Sequence, residues 1–202
     1  MEGAHNNIGL DEFLGELRAC SRCPFIDKPF LLHDVYGSWV PDEVELLLIT
    51  ESPPPGPKPD FFYNLGRPDR LRRNLKAILG LGVPERYVPA WLKDHGAFLT
   101  NAVKCRPVRP GGKPRDEGLL RRMALNCSPI LAHELGVLRP KKVLVLGRIA
   151  QLSSEALGLR PYAVFPHPNF VVRFRRDLIP IMREAIMKAL SGPSARPLGP
   201  GP

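Results

Sequence analysis

The sequence lacks long hydrophobic runs: no apolar segment approaches the roughly 18 residues that a membrane-spanning helix needs. The first ten residues, MEGAHNNIGL, have neither the basic nor the apolar region of a signal peptide. Both absences predict a cytoplasmic chain without a membrane partner. In that reducing compartment the four cysteines are expected to serve metal binding or redox chemistry rather than disulfides.

Acidic residues are also scarce relative to basic ones. Twenty Asp and Glu face 29 Lys and Arg, which gives a formal net charge of +9. Such a charge favours a polyanionic partner, nucleic acid before an anionic membrane, and the alternative is a charge that serves solubility. Glutamine is scarcer still, since Gln151 is the only one, and together with 24 prolines this is typical of proteins from thermophiles.

Four apolar segments have the pattern of buried strands, and segments of helical periodicity alternate with them. A chain of 202 residues fits one domain, which we expect over 1–190, followed by a flexible Pro/Gly tail over 191–202. Buried strands alternating with helices predict the α/β class: three α/β/α layers around a central parallel sheet of about four strands. The strand segments are 44–50, 97–103, 142–147 and 162–168, and the main helical segments are 10–19, 70–82, 116–137, 147–159 and 177–190.

Polar side chains follow three of the predicted strands. Glu51 follows LLLIT, Asn101 follows AFLT, and His167 follows YAVFP. Because ligands bind beyond the carboxyl ends of strands in open parallel sheets, the sequence predicts a site that combines a carboxylate, a carboxamide and an imidazole. The alternatives are a solvated loop carboxylate, a turn asparagine and a core histidine beside prolines.

The cysteines follow a metal-ligand pattern. Cys20 and Cys23 are two residues apart in CSRC, so one turn can direct two thiolates at the same metal or cluster. Prolines follow closely in CSRCP, CRP and CSP, as they do beside iron–sulfur ligands. A redox C-x-x-C would begin a helix after a strand, whereas this one follows a helix. We expect a four-ligand site with Cys105 and Cys127; spacing alone leaves zinc, an iron–sulfur cluster or four unrelated buried cysteines open.

Together these motifs resemble the uracil-DNA glycosylase superfamily, in particular its family 4 iron–sulfur enzymes. The resemblance extends from Cys20 to about Phe170. TNAVKCRP is similar to the family's strand that carries a base-reading asparagine followed by a cluster cysteine, and CSRC, PKKVLVLGRIA and PHPN agree in order and spacing. The resemblance implies a [4Fe-4S] cluster on the four cysteines, with Asn101 as the base-reading amide and His167 as the catalytic imidazole.

The resemblance further implies a monofunctional glycosylase that flips uracil, or a related deaminated base, out of DNA and hydrolyses its N-glycosidic bond to leave an abasic site. Asn101 would donate to uracil O4 and accept from N3–H, a pattern that cytosine inverts. His167 would stabilise the negative charge on the departing base, and Glu51 would position the water or stabilise the cationic sugar. No lysine in these motifs is placed as a Schiff-base nucleophile.

The chain departs from the family pattern in two places. The family's first motif is typically G-E-[AG]-P-G, whereas TESPPPG keeps Glu51 but has Thr50 and Pro54 where glycines let the backbone approach the ligand. The loop over 106–126 is also enlarged. These departures favour a divergent branch with an altered base preference.

The remaining contacts are expected from residues that flank these motifs. Ser52 is predicted to contact the base, and Phe62 to stack on it, although core packing explains the FFY run as well. Phe170 and Val171 are candidates for the wedge that fills the gap left by the flipped base. The basic residues expected to hold DNA phosphates are Arg70, Arg72, Arg73, Arg106, Arg109, Lys113, Arg173, Arg175 and Arg176.

Two other classes stay open at this point. A non-catalytic iron–sulfur protein of the same fold would bind nucleic acid without cutting it, and the altered first motif favours it. A nucleotide-binding protein would use VLVLGRIA, but one glycine after a strand falls short of G-x-G-x-x-G. The expected partner is DNA containing uracil or another deaminated base, bound by a monomer at the nucleoid.

Overall fold

The structure, a computed structural model, describes residues 2–108 and 116–191. Within these residues it contains one four-stranded parallel sheet with the strand order β2-β1-β3-β4, flanked by helices. The predicted α/β class and its parallel sheet are therefore confirmed. The strands are β1 (Leu46–Thr50), β2 (Ala97–Asn101), β3 (Lys142–Leu146) and β4 (Ala163–Phe165).

Five of the helices correspond to the predicted helical segments, and the other four, α2, α3, α5 and α8 below, were not predicted from the sequence. The helices are α1 (Glu2–Ala19), α2 (Pro29–Leu32), α3 (Val35–Trp39), α4 (Arg70–Leu79), α5 (Val88–Asp94), α6 (Glu117–Leu138), α7 (Arg148–Ala156), α8 (Pro168–Phe174) and α9 (Ile179–Leu190), with short 3₁₀ turns at Glu85–Tyr87 and Arg176–Leu178. None of the helices in the described part of the chain is long and apolar enough to cross a membrane.

Strand β1 lies between two neighbours, which explains its uninterrupted apolar sequence. All five of its side chains are buried, as expected of a central strand covered on both faces. Its parallel register with β2 places Thr50 directly beside Asn101. The pairing continues past the strand ends, because the Ala102 amide donates to the Thr50 carbonyl (2.8 Å) and the Val103 amide to the Glu51 carbonyl (3.0 Å). This continued pairing positions the carboxyl edge of the sheet.

Helix α4 begins and ends at residues suited to those positions. The Asp69 carboxylate accepts a hydrogen bond from the Arg72 amide (2.8 Å) as the N-cap, and Gly80 closes the helix with a left-handed φ of +71°. The helix is thus shorter than the predicted 70–82, since Gly80 ends it. Strand β4 is likewise shorter than its predicted segment, because prolines at 166 and 168 cannot donate to a ladder.

A buried ion pair joins α6 to the segment after β2. Lys104 and Glu134 are both fully buried, and the ammonium donates to the carboxylate. The Tyr36 hydroxyl (2.7 Å) and the Thr100 hydroxyl (2.8 Å) also donate to Glu134, while Lys104 donates to the Thr100 oxygen (2.6 Å). Each charge therefore has a partner and further hydrogen bonds, as buried charges require.

Candidate active site and cysteine pocket

Glu51 lies just beyond β1, with its side chain against the beginning of α7. The residue is only 9% exposed, and its Oε1 accepts a hydrogen bond from the Ile149 amide (3.3 Å). The N-terminal end of a helix attracts negative charge and so holds this carboxylate in one direction. The structure thus argues against the alternative of a solvated loop carboxylate, because this side chain is buried and oriented.

Gly147 makes this approach possible. It connects β3 to α7 with a φ of +103°, and a Cβ at this position would lie 2.7 Å from Glu51 Oε1. Its amide also donates to the Phe165 carbonyl at the end of β4 (2.9 Å). Any larger residue would both strain the backbone and displace the carboxylate.

Asn101 ends β2 and is 3% exposed. The Thr50 hydroxyl from the neighbouring strand donates to its Oδ1. The side chain is therefore held across the sheet edge by a hydrogen bond, in contrast to the turn asparagine that was the alternative.

His167 is the N-cap of α8, where its ring has a defined hydrogen-bonding state. Its Nδ1 accepts a hydrogen bond from the Asn169 amide (3.1 Å), so the neutral ring carries its proton on Nε2. Strand order and parallel direction place Asn101, Glu51 and His167 along the same carboxyl edge of the sheet. The predicted meeting of carboxamide, carboxylate and imidazole at one edge therefore agrees with the topology.

Phe62 and Ser52, the two further residues predicted to contact the base, both make contacts within the protein. Phe62 is buried in the main core, with its ring 4.9 Å from that of Tyr63 in an edge-on arrangement. Ser52 is half-buried, and its hydroxyl donates to the Pro53 carbonyl (3.0 Å). Both assignments stay predictions.

Arg106 is not a phosphate contact, contrary to the sequence-based expectation. Its side chain is 2% exposed, and its Nε donates to both oxygens of Asp27 (2.9 and 3.0 Å). Its Nη1 donates to the carbonyls of Pro54 and Asp60, both at 3.0 Å. Arg106 therefore connects the first-motif loop to the segment after Cys23. Arg72 is also buried, with its guanidinium bound to carbonyl oxygens that include Phe62 O (2.8 Å).

The exposed part of α8 carries the other predicted DNA contacts. Phe170 is 48% and Phe174 59% exposed, with ring centroids 5.2 Å apart, and the Arg173 guanidinium lies over the Phe174 ring. Val171 points into the core and is fully buried, so its assignment as a wedge is wrong. Five predicted arginines on α4 and around α8 are exposed, and two residues of the predicted set lie outside the described residues. The exposed ones are Arg70, Arg73, Arg173, Arg175 and Arg176; those outside are Arg109 and Lys113.

Helices α4 and α8 are connected at this surface. Asn74 Nδ2 donates to Asn169 Oδ1 (2.7 Å), one residue from the Phe170 ring. Arg175 is paired with Asp177 (2.8 Å) and Arg73 with Glu85 (3.5 Å), both on the surface, where such pairs are weak and exchange readily for phosphate. The two helices thus present aromatic rings and arginines beside His167.

All four cysteines line one pocket. Cys20 and Cys23 come from the turn after α1, Cys105 from the segment after β2, and Cys127 from α6. Phe25, Val103 and Met123 supply apolar side chains to the lining of the same pocket. Among the described residues, no three His, Cys, Asp or Glu side chains form a group arranged to hold a metal ion.

The surroundings of the pocket set the state of its thiols. Burial, together with a smaller effect of the neighbouring Cys127, raises the pKa of Cys105 to about 12. Burial also raises the pKa of Cys127 to about 11, against the opposing effect of the Lys104 ammonium. Lys28 donates to the Cys20 carbonyl just beyond the end of α1 (2.7 Å). Metal binding here must therefore displace protons.

Sequence reasoning missed three residues that shape this region: Thr50 as a partner of Asn101, Gly147 beside Glu51, and Arg106 as an internal connector. The sequence did contain a signal for Gly147, which is a glycine between a predicted strand and a predicted helix. No local sequence pattern identifies Thr50 or Arg106, because their partners come from distant segments.

Comparison with known proteins agrees with this architecture. Residues 23–191 match the model of the uracil DNA glycosylase superfamily, so the chain belongs to that superfamily. A type-4 uracil-DNA glycosylase of Pyrobaculum aerophilum is 28% identical over 149 residues, which cover 71% of this chain and 64% of that protein. A type-4 enzyme of Saccharolobus solfataricus is 30% identical over 145 residues, covering 69% of this chain and 56% of that protein.

A relative of another type is also similar. The type-5 uracil-DNA glycosylase of Pyrobaculum aerophilum is 28% identical over 179 residues, which cover 80% of this chain and 76% of that protein. The chain thus spans less than two thirds of the length of the two type-4 relatives and about three quarters of the type-5 relative. The resemblance to the superfamily and its family 4 is confirmed.

Proposed function

We propose that this protein is a monofunctional DNA glycosylase that excises uracil, or a related deaminated base, and leaves an abasic site. The observation that carries the proposal is the shared sheet edge: a buried carboxamide, an oriented carboxylate and an imidazole with a defined tautomer follow β2, β1 and β4. The names of the type-4 and type-5 relatives support uracil as the base.

His167 is proposed to stabilise the departing base. Since its Nδ1 accepts from the Asn169 amide, the neutral ring has its proton on Nε2, and we propose that this N–H donates to the base O2, where negative charge grows as the glycosidic bond breaks. A neutral donor is sufficient, because the proton need not be transferred. The backbone hydrogen bond of α8 holds the ring in this orientation.

Glu51 is proposed to act on the other product of bond breaking, the positively charged sugar. Its carboxylate is held at the beginning of α7, so a negative charge stands at a fixed place beside the flipped nucleotide. From there it can stabilise the oxocarbenium-like sugar or hold the attacking water. Both roles need the orientation that Gly147 permits.

The cysteine pocket is proposed to hold a [4Fe-4S] cluster on Cys20, Cys23, Cys105 and Cys127. A tetrahedral zinc site requires all four sulfurs within about 2.3 Å of one ion, whereas a cluster binds one thiolate at each of four irons and is surrounded by them. All four cysteines line one pocket and reach it from three segments of the chain, which supports their serving as the ligands of one cluster. When bound, the cluster would join α1, α6 and the chain after β2 as a structural element.

The surface of α4 and α8 is proposed to bind the DNA strand around the flipped nucleotide. Exposed arginines would hold the phosphates, while Phe170 would enter the gap in the base stack, with Phe174 beside it. The chain is proposed to act as a monomer.

The proposal is tested with oligonucleotides that carry one uracil opposite guanine. The purified protein should release uracil and leave alkali-labile abasic sites, and Asn101→Asp should lose this release while keeping its iron and its melting temperature, because a carboxylate cannot donate to O4. His33→Ala is the control for a histidine away from the sheet edge. Tight binding of the oligonucleotide without any release would instead favour the non-catalytic binder to which the altered first motif points.

A further inference from the structure

We infer that Thr50 is a positioning residue that sets which base edge Asn101 recognises. The inference rests on the proposed function and concerns a position where the family pattern has glycine and this chain has a hydroxyl. Thr50 is 1% exposed, and the β1–β2 register places it directly beside Asn101. Its hydroxyl donates to Asn101 Oδ1.

The hydrogen bond determines which atoms of the carboxamide face the base. Within residues 2–108 and 116–191, the Thr50 hydroxyl is the only hydrogen-bond partner of this carboxamide. With one lone pair of Oδ1 engaged by Thr50, the Nδ2 amino group stays available as a donor and the second Oδ1 lone pair as an acceptor. Asn101 thereby presents a donor and an acceptor in one fixed order.

That order matches a ring carbonyl beside a ring N–H. Uracil presents this edge with O4 and N3–H, and hypoxanthine presents it with O6 and N1–H. Cytosine and adenine present an amino group beside a bare ring nitrogen, which pairs only with a carboxamide turned by 180°. Deamination of either base creates the edge that the fixed carboxamide accepts, so Thr50 would favour deaminated bases as a class over their parents.

The Thr50 hydroxyl has a second acceptor within reach. If it donated to that acceptor instead of Asn101, the site would recognise the opposite base edge. Thr50 Oγ1 lies 3.2 Å from the Thr100 carbonyl oxygen. A hydroxyl has one proton, and donation to Thr100 would let Asn101 turn its amino group toward Thr50 and present Oδ1 outward. The site would then suit an amino group on the base.

The test compares Thr50→Val, which keeps the shape and removes the hydroxyl, with Thr50→Ser, which keeps the hydroxyl. Iron-loaded full-length proteins are assayed for excision of uracil, hypoxanthine and cytosine from otherwise identical oligonucleotides, and for their affinity for each. We expect Thr50→Val to lower the preference for uracil over cytosine about tenfold, the size of effect of one hydrogen bond, and Thr50→Ser to retain it. An unchanged preference in Thr50→Val, or an equal loss in Thr50→Ser, would overturn the inference.

A substrate-free measurement separates this inference from the proposed function. The side-chain amide signals of Asn101 in ¹⁵N-labelled protein report the contact directly, assigned by their absence in Asn101→Asp. Shifted or broadened signals in Thr50→Val but not in Thr50→Ser support the positioning role even if no base is excised. Identical signals in wild type and Thr50→Val reject it, whereas failure of the wild type to excise any base rejects only the proposed function.

Discussion

At the scale of single residues, the buried charges have the largest consequences for stability. Lys104 and Glu134 neutralise each other in the interior, with Tyr36 and Thr100 completing the hydrogen bonds of the carboxylate. The network lies between the strand that carries Asn101 and the helix that carries Cys127. A change in either partner therefore acts on the cores of both proposed sites.

We predict that Lys104→Met destabilises the protein by about 3–5 kcal/mol, because it leaves Glu134 buried without its counter-charge. Urea unfolding of the iron-loaded protein measures the effect. Lys141→Met is the matched control, since Lys141 pairs with Glu43 and Glu45 on the surface and its loss should change stability little. Adding Glu134→Gln to Lys104→Met should recover part of the loss. Equal effects of the two lysine changes would contradict the prediction.

A second prediction concerns Gly147, where a methyl group would meet Glu51. Gly147→Ala should reduce base excision at least tenfold, because its Cβ would lie 2.7 Å from Oε1 and force the carboxylate away. Gly158→Ala is the control: Gly158 also has a positive φ (+62°), but nothing lies within 4 Å of its added Cβ. Gly147→Ala carries the larger backbone strain, since its φ of +103° and ψ of 164° lie in a region populated almost only by glycine. Excision rates are therefore compared at equal folded fractions, so that lost stability is not counted as lost activity. A similar loss of activity in both would remove Glu51 from the proposed mechanism.

Residue identity alone suggested candidate residues but did not predict their surroundings. Arg106 and Arg173 look alike in sequence, yet one is enclosed by Asp27, Pro54 and Asp60 while the other is exposed beside Phe174. Burial of a side chain depends on which distant segments pack around it, and this packing cannot be read from a single sequence. The three polar residues at strand ends were predictable because parallel strands bring their carboxyl ends to one edge by geometry alone.

At the scale of elements, helix α4 links the core to the proposed DNA surface. Its first turn carries Arg70 and Arg73, and its Asn74 holds α8 through Asn169. The Asp69 cap is buried, and burial raises the pKa of this carboxyl group despite the opposing hydrogen bond from the Arg72 amide. The cap therefore needs an acceptor at this position more than it needs a charge.

We accordingly predict that Asp69→Ala lowers the free energy of unfolding by about 1 kcal/mol, the usual value of an N-cap. Asp69→Asn keeps an acceptor for the Arg72 amide and should retain most of the stability. Thermal and urea unfolding of both variants give the comparison. If Asn destabilises as much as Ala, the charge rather than the hydrogen bond stabilises this helix end.

All four strands and the five longer helices were predictable from the sequence. Their ends were predictable where a glycine or a proline terminates the element. Gly80 closes α4 as a positive-φ glycine, and the prolines around His167 stop β4. The 3₁₀ turn Arg176–Leu178 before α9 was missed, since its residues continue the helical pattern and only packing separates the two.

At the scale of the whole molecule, the cysteine pocket joins three parts of the chain. The turn after α1 pairs with the segment after β2 through Ile26 N and Arg106 O (3.0 Å), and through Arg106 N and Asp27 O (2.9 Å). Arg106 then reaches the first-motif loop at Pro54. The proposed cluster and the proposed active site are therefore mechanically connected.

We predict that Cys105→Ser loses iron, lowers the melting temperature and reduces excision as a consequence. The freshly purified wild type should be brown, with absorbance near roughly 400 nm, and the variant colourless. Met123→Leu, a change of similar volume in the wall of the same pocket, should keep both iron and colour. Stoichiometric zinc in colourless wild-type protein prepared without oxygen would contradict the assignment of a cluster.

The order of the strands has a consequence during synthesis. Glu51 and Asn101 leave the ribosome early, but His167 belongs to a late segment, and α9 then closes the molecule through Arg183 on Ile78 O (2.6 Å) and Lys142 on Ala189 O (2.7 Å). A nascent chain that ends before His167 lacks the imidazole. A chain that ends before β4 also leaves β3 without its neighbour on one side. Translation therefore delivers the three proposed catalytic groups together only when most of the polypeptide has been made, and a truncated product lacks part of the proposed site.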